Sequence, residues 1–218
     1  FGIHPAIVPA IQQTLSHFAK VAWERKRDEL QKLFGLSTRL SLPLSALQQS
    51  GLWGSVAPHW GTLSSAKASK MELLPKGQPY LRLALTLEMD SIAIADVVET
   101  LRTWRASKKD IADVTGWLRA LKVFQSRPRS AITVRHVLGE FGSRSALGAA
   151  HLLRVINPRL FKRLPQKIQH EMRLCRPVTI TQLAVSGHDL KSMGLSGKMI
   201  GICLDELLQQ VMIRPNLN

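Results

Sequence analysis

Apolar residues recur at three- and four-residue spacing along nearly all of this 218-residue chain, and the strict alternation of a half-buried strand is scarce. That pattern confines the fold to packed helices. Read in order, it predicts helices over His4–Phe18, with Pro5 in the first turn, and over Glu24–Phe34, stopped by Gly35. A third opens at Ser41 or Ser45 and runs to about Ser50. The stretch Ser50–Gly61 reads as a turn-rich linker carrying Trp53 and Trp60. A weak helix over Leu63–Leu74 is closed by the Pro75–Pro79 break. Tyr80–Met89 alternates partly, so a strand is possible. A buried helix is preferred, because no second strand is available to pair with it. Asp90 or Ser91 caps Ile92–Arg105, and Ser107 caps Lys108–Phe124. Gly142 separates Thr133–Phe141 from Ser145–Ile156, and Pro158–Cys175 gives one more helix. The expected architecture is all-α, an elongated array without a substantial sheet. Its divisions are a start segment (1–35), a helical body (36–176) and a helical tail (177–218).

The charge narrows the partners. Thirty Lys and Arg stand against fifteen Asp and Glu, a formal net charge of +15. Such an excess favours polyanions, nucleic acid above all. Hydrophobic content of 45% excludes global disorder. Cys175 and Cys203, the only cysteines, have neither metal spacing nor a secreted disulfide pattern. Cys203 falls on an apolar stripe and reads as a buried thiol. No apolar run approaches a membrane span, so the cytoplasm is the natural inference.

The last stretch carries the sharpest chemistry. A short apolar helix is expected from about Thr181 to Met193, then a turn with Gly194 and Gly197, then a second helix from Lys198. Glycine permits the positive φ of a tight turn and a close backbone approach. The start of the second helix presents unpaired N–H groups, Lys198 adds a mobile charge, and Gly201 leaves room beside them. The arrangement suits a phosphate and does not suit base reading.

That stretch also resembles a family. Leu183, Val185, Gly187, Asp189 and Leu190, followed by Gly194, Leu195, Gly197, Ile200 and Gly201, are similar to the tail phrases of bacterial-type CCA-adding tRNA nucleotidyltransferases, the group that includes bacterial poly(A) polymerases. Val21–Gly35 ("VAWERKRDELQKLFG") resembles the segment after that family's nucleotide-selecting neck, and Leu101–Leu118 resembles its body helices. Phe1 looks like the point just after the neck. The family's head carries a Gly-Gly phrase and an Asp-x-Asp metal pair, and neither occurs in this sequence. The resemblance therefore implies the body and tail of the enzyme without its catalytic head, predicted inactive alone. In the full-length enzyme it implies Mg²⁺ with CTP and ATP, and tRNA as partner. It gives Arg25 and Arg27 a structural role or one near the nucleotide site. Lys26 stands where the family usually carries an apolar residue.

The other candidates for RNA contact are basic residues of the body: Arg102, Arg105, Lys108 and Lys109, then Arg127 and Arg129 in a loop, then Arg159, Lys162, Arg163 and Lys167 on one helix face. For any one of them an ordinary solvated face accounts for the charge; together they can neutralise several phosphates. Trp104 and Trp117 read as core, whereas Trp53 and Trp60 are open to core packing or base stacking. No paired-Cys or His-Glu-x-x-His metal motif and no nucleophile elbow is present. The alternatives are the C-terminal part of a poly(A) polymerase and a stand-alone helical DNA-binding or scaffold protein.

Overall fold

The computed structural model describes residues 3–217; the expectation placed on Phe1 lies outside the described residues. Among these the regular structure is entirely helical. The order is α1 (Ile7–Ala19), α2 (Trp23–Leu36), α3 (Ser41–Gln49), α4 (Leu52–Val56), α5 (Ser65–Glu72), α6 (Pro79–Met89) and α7 (Ile94–Thr103). Then follow α8 (Lys108–Ser126), α9 (Ala131–Ile156), α10 (Pro158–Phe161), α11 (Leu164–Arg173), α12 (Gly187–Ser192) and α13 (Lys198–Ile213), with 3-10 turns at Ile180–Gln182 and Pro215–Leu217. The accessible surface of 12646 Å² exceeds the roughly 10,000 Å² of a compact monomer of this mass, so the array is drawn out.

The helix preferred over Tyr80–Met89 is present. Tyr80 to Leu87 are all buried, so α6 is the central rod of the body. Its Arg82 is 1% exposed and forms no direct ion pair among the described residues, Glu72 acting on it only through space. Instead its Nη1 donates to the carbonyls of Phe34 (2.8 Å) and Ser37 (2.9 Å). Those carbonyls end α2 and lack helical partners, so the guanidinium caps the negative end of that helix. Gly35 therefore does not stop α2, which runs on to Leu36.

Several caps differ from expectation. Ser107 does cap α8, accepting from Asp110 N at 3.0 Å. Asp90 and Ser91 do not cap α7, whose N-cap is Ala93. Asp90 is instead the counter-ion of buried Lys67, at 2.5 Å. The Ser50–Gly61 linker contains α4, and both its tryptophans are core, with Trp53 2% and Trp60 3% exposed. Their rings continue an aromatic chain: Trp53 lies 6.0 Å from Trp60, and Trp60 lies 4.9 Å from Trp104. Base stacking on either ring is thereby removed. Trp104 and Trp117 are buried, as the spacing implied.

Lys26 explains itself. It is 6% exposed, and its ammonium sits over the rings of Trp23 (4.3 Å) and Phe18 (4.7 Å). The apolar stem packs as a hydrophobe while the charge faces two aromatic rings. Burial pushes its pKa below the usual lysine range.

α9 is bent at Gly142 (φ 76°, ψ 167°), which joins the two expected helices. The single helix expected over Pro158–Cys175 is split into α10 and α11, because Pro165 sits in the first turn of α11 and cannot donate to a preceding turn. One contiguous apolar cluster runs from Leu30 to Ile168. The tail's buried Leu190, Leu204, Leu208, Val211 and Met212 stand outside it. Among the described residues, no helix is long and apolar enough to cross a membrane.

Candidate nucleic-acid interface

The basic residues differ in what they are paired with. Among the described residues, the cations with carboxylate partners are Arg27, Lys32, Lys67, Arg135, Arg144 and Arg176. Arg25, Arg102, Arg105, Lys108, Lys109, Arg127, Arg129, Arg159, Lys162, Arg163, Lys167 and Lys198 have none there, and each is exposed. Their positive charge is left to solvent and to whatever binds.

The fold gathers some of these residues and leaves others apart. The loop after α8 meets α10 and α11, so Arg129 joins Arg159, Lys162, Arg163 and Lys167 around one concavity of about 310 Å³. None of the residues lining it is acidic. Two internal contacts order its wall. The Arg129 guanidinium stacks 5.2 Å from the Phe161 ring centre, and Lys167 Nζ donates to Arg129 O at 3.1 Å. An adjoining hollow shares Arg129, Arg163 and Lys167 and adds Gln166, His170 and the acidic Glu171. Arg127 is exposed in the same loop but does not line either hollow.

A second group lies at the α7–α8 corner. Arg102 closes α7, Arg105 sits beyond it with φ 55°, and Lys108 and Lys109 form the first turn of α8. A helix start disfavours cations, so helix stability does not account for these two lysines. Arg27 is tied to this corner. It donates to the Arg105 carbonyl and pairs with Asp28 at 2.7 Å. It thus serves as a strut between α2 and the corner, whereas Arg25 is exposed.

The tail turn forms a third group. The continuous helix expected over Thr181–Met193 is broken. A 3-10 turn at Ile180–Gln182 precedes a Ser186 capping box, in which Ser186 accepts from Asp189 N and Asp189 accepts from Ser186 N at 2.8 Å. This local side-chain bonding competes with helix extension. The Ser186 hydroxyl, donating to Asp189 Oδ2 at 2.7 Å, and the Ser186 N–H beside it hold the Asp189 carboxyl below the usual carboxylate range. Gly194 (φ 93°) and Gly197 (φ 56°) make the turn, and α13 opens at Lys198 as expected. A Cβ placed on Gly201 would meet no atom within 4 Å. Its missing side chain is therefore not required by packing, although glycine weakens a helix interior. Cys203 is only partly buried, which corrects its reading as a buried thiol: the buried residues of α13 are Leu204, Leu208, Val211 and Met212.

The tail is fixed at the other end of α13. Arg135 of α9, 4% exposed, donates to Glu171 Oε2 at 2.7 Å and to the Met212 carbonyl. Gly139 lets the Val178 backbone lie against α9; a Cβ there would stand 2.1 Å from Val178 O. Lys198 and Met212 are roughly 20 Å apart along α13. The glycine turn is held at that distance from the joint. Sequence reasoning passed over Arg135, Gly139 and Phe161; only Gly139, a glycine inside a helical run, carried a local signal.

A family model described as tRNA nucleotidyltransferase domain 2, putative, matches residues 81–215. No curated protein and no solved structure matches the chain.

Proposed function

Because the chain belongs to the tRNA nucleotidyltransferase domain 2 family, we propose that it is the tRNA-holding body and tail of a CCA-adding enzyme. In this reading it positions the tRNA 3′ end for template-independent addition of CMP and AMP by a catalytic head outside these residues. The head would hold Mg²⁺ with CTP and ATP, and this chain would supply no reacting group. Nucleotidyl transfer depends on metal-held phosphates and alignment. The share assigned here is alignment.

The observation that carries the reading is the separation of the cations. Of those paired with carboxylates, Lys67, Arg135 and Arg144 join different helical elements. Among the exposed cations without a carboxylate partner, Arg129, Arg159, Lys162, Arg163 and Lys167 gather at the concavity, Arg102, Arg105, Lys108 and Lys109 at the α7–α8 corner, and Lys198 stands at the glycine turn. Duplex RNA is gripped through shape and backbone, and arginine, lysine and open glycine backbone serve that better than a base-reading surface. Gly201 supports the same view, since an open helix surface lets a sugar-phosphate strand come close.

Competition binding tests it: labelled tRNA against unlabelled tRNA and duplex DNA of equal charge, at several salt concentrations. tRNA should win throughout, with a steep salt dependence. Equal competition by duplex DNA would return the chain to general nucleic-acid binding.

A further inference from the structure

We propose that the concavity between the Arg127–Ser130 loop and α10–α11 is a pocket for a terminal phosphate monoester, the 5′ end of an RNA strand. The proposal rests on the RNA-binding reading and adds an end-specific contact to it.

The shape and the charge both point that way. A continuous strand passes its diester groups over ridges and grooves, each with a single negative charge. A strand end can enter a hollow, and a monoester carries about −1.5 to −2 charge near pH 7 with three strong acceptor oxygens. Arg129, Arg159, Lys162, Arg163 and Lys167 surround a volume of about 310 Å³ with no acidic residue on its lining. Three of the five are arginines, whose planar forks match phosphate oxygens in pairs. The wall is already ordered: Arg129 rests on Phe161 at 5.2 Å, and Lys167 Nζ is bound to Arg129 O at 3.1 Å. Less side-chain freedom is lost on binding as a result. Glu171 lines the adjoining hollow but not this one, and its carboxylate is paired with Arg135 at 2.7 Å. Leu164, the first residue of α11, also lines it, and the start of a helix favours an anion. Leu160 at the rim is 51% exposed and offers an apolar rest for the terminal nucleoside.

The test uses the full chain and one RNA hairpin prepared with a 5′-phosphate or a 5′-hydroxyl, labelled away from that end. Fluorescence anisotropy at fixed salt should show about tenfold tighter binding of the phosphorylated form, the scale of a charge-assisted contact. The advantage should shrink below about pH 6, where the second phosphate ionisation reverses. The double variant R163Q/K167Q should bind both hairpins alike, with circular dichroism unchanged. Equal binding of the two hairpins by the wild type overturns the proposal and leaves the RNA-binding reading standing. Failure to bind either hairpin overturns that reading itself. If a free nucleoside monophosphate cancels the advantage as well as a 5′-phosphorylated dinucleotide at equal concentration, the pocket belongs to a small metabolite and the RNA-end assignment fails.

Discussion

Arg135 and Glu171 form a buried ion pair between α9 and α11, 2.7 Å apart, with side chains 5% and 7% exposed. The same guanidinium reaches the Met212 carbonyl near the end of α13. One side chain thus ties two body helices to the tail, and the position of the glycine turn depends on it.

Removing one partner should be severe. Arg135→Ala leaves Glu171 without its strongest partner and the Met212 carbonyl without its donor. The expected loss is about 3–5 kcal/mol, against a much smaller loss for the apolar double replacement R135M/E171L. Urea unfolding of both variants checks this. Limited proteolysis should show earlier cleavage in the 174–186 connection for Arg135→Ala.

Two glycines on long helices should respond oppositely to alanine. At Gly139 the new Cβ would strike Val178 O, 2.1 Å away, so Gly139→Ala should destabilise by about 1–3 kcal/mol. At Gly201 nothing lies within 4 Å, so Gly201→Ala should stabilise by about 0.5–1 kcal/mol while weakening tRNA binding. Thermal melts and tRNA affinities on the two variants decide it. Unchanged affinity for Gly201→Ala would remove α13 from the interface.

Lys198→Glu should weaken tRNA binding with little loss of helicity, because Lys198 is exposed and is the first residue of α13. The slope of log affinity against log salt should fall by about 0.7–0.9 for one lost phosphate contact. An identical slope would place the turn outside the bound RNA.

Acid should expose His151. Burial, with Arg154 beside it, holds this imidazole below its ordinary range. The unfolded chain then binds a proton at higher pH than the folded protein. Stability from this residue is complete above about pH 6.5, falls as the pH drops from there toward the folded value, and levels off below it. Urea midpoints at pH 7.5 and pH 5 should differ less in His151→Gln than in the wild type.

Removing the buried charge at Lys26 should cost little. Lys26→Met keeps the apolar stem between Phe18 and Trp23 and loses the cation–π contacts, about 0.5–2 kcal/mol, and a long hydrogen bond to Ala19 O (3.4 Å), offset by relief of the buried ammonium. A loss well beyond 2 kcal/mol in urea unfolding would show that the charge itself holds α1 against α2.

The all-helical fold was legible from the chain, because three- and four-residue spacing and caps such as Ser107 are local. So was the Gly142 break, and so was the turn at Gly194 and Gly197, where positive φ selects glycine. What sequence alone could not decide was which groups meet. Arg82 capping α2, Lys67 taking Asp90 away from its expected cap, the tryptophans of the Ser50–Gly61 segment closing the core, and Arg129 arriving beside Arg163 and Lys167 all join residues distant in the chain. Helix periodicity is determined by neighbours a turn away. Ion pairing, burial and the gathering of like charge depend on packing between helices, and only the tertiary structure decides that.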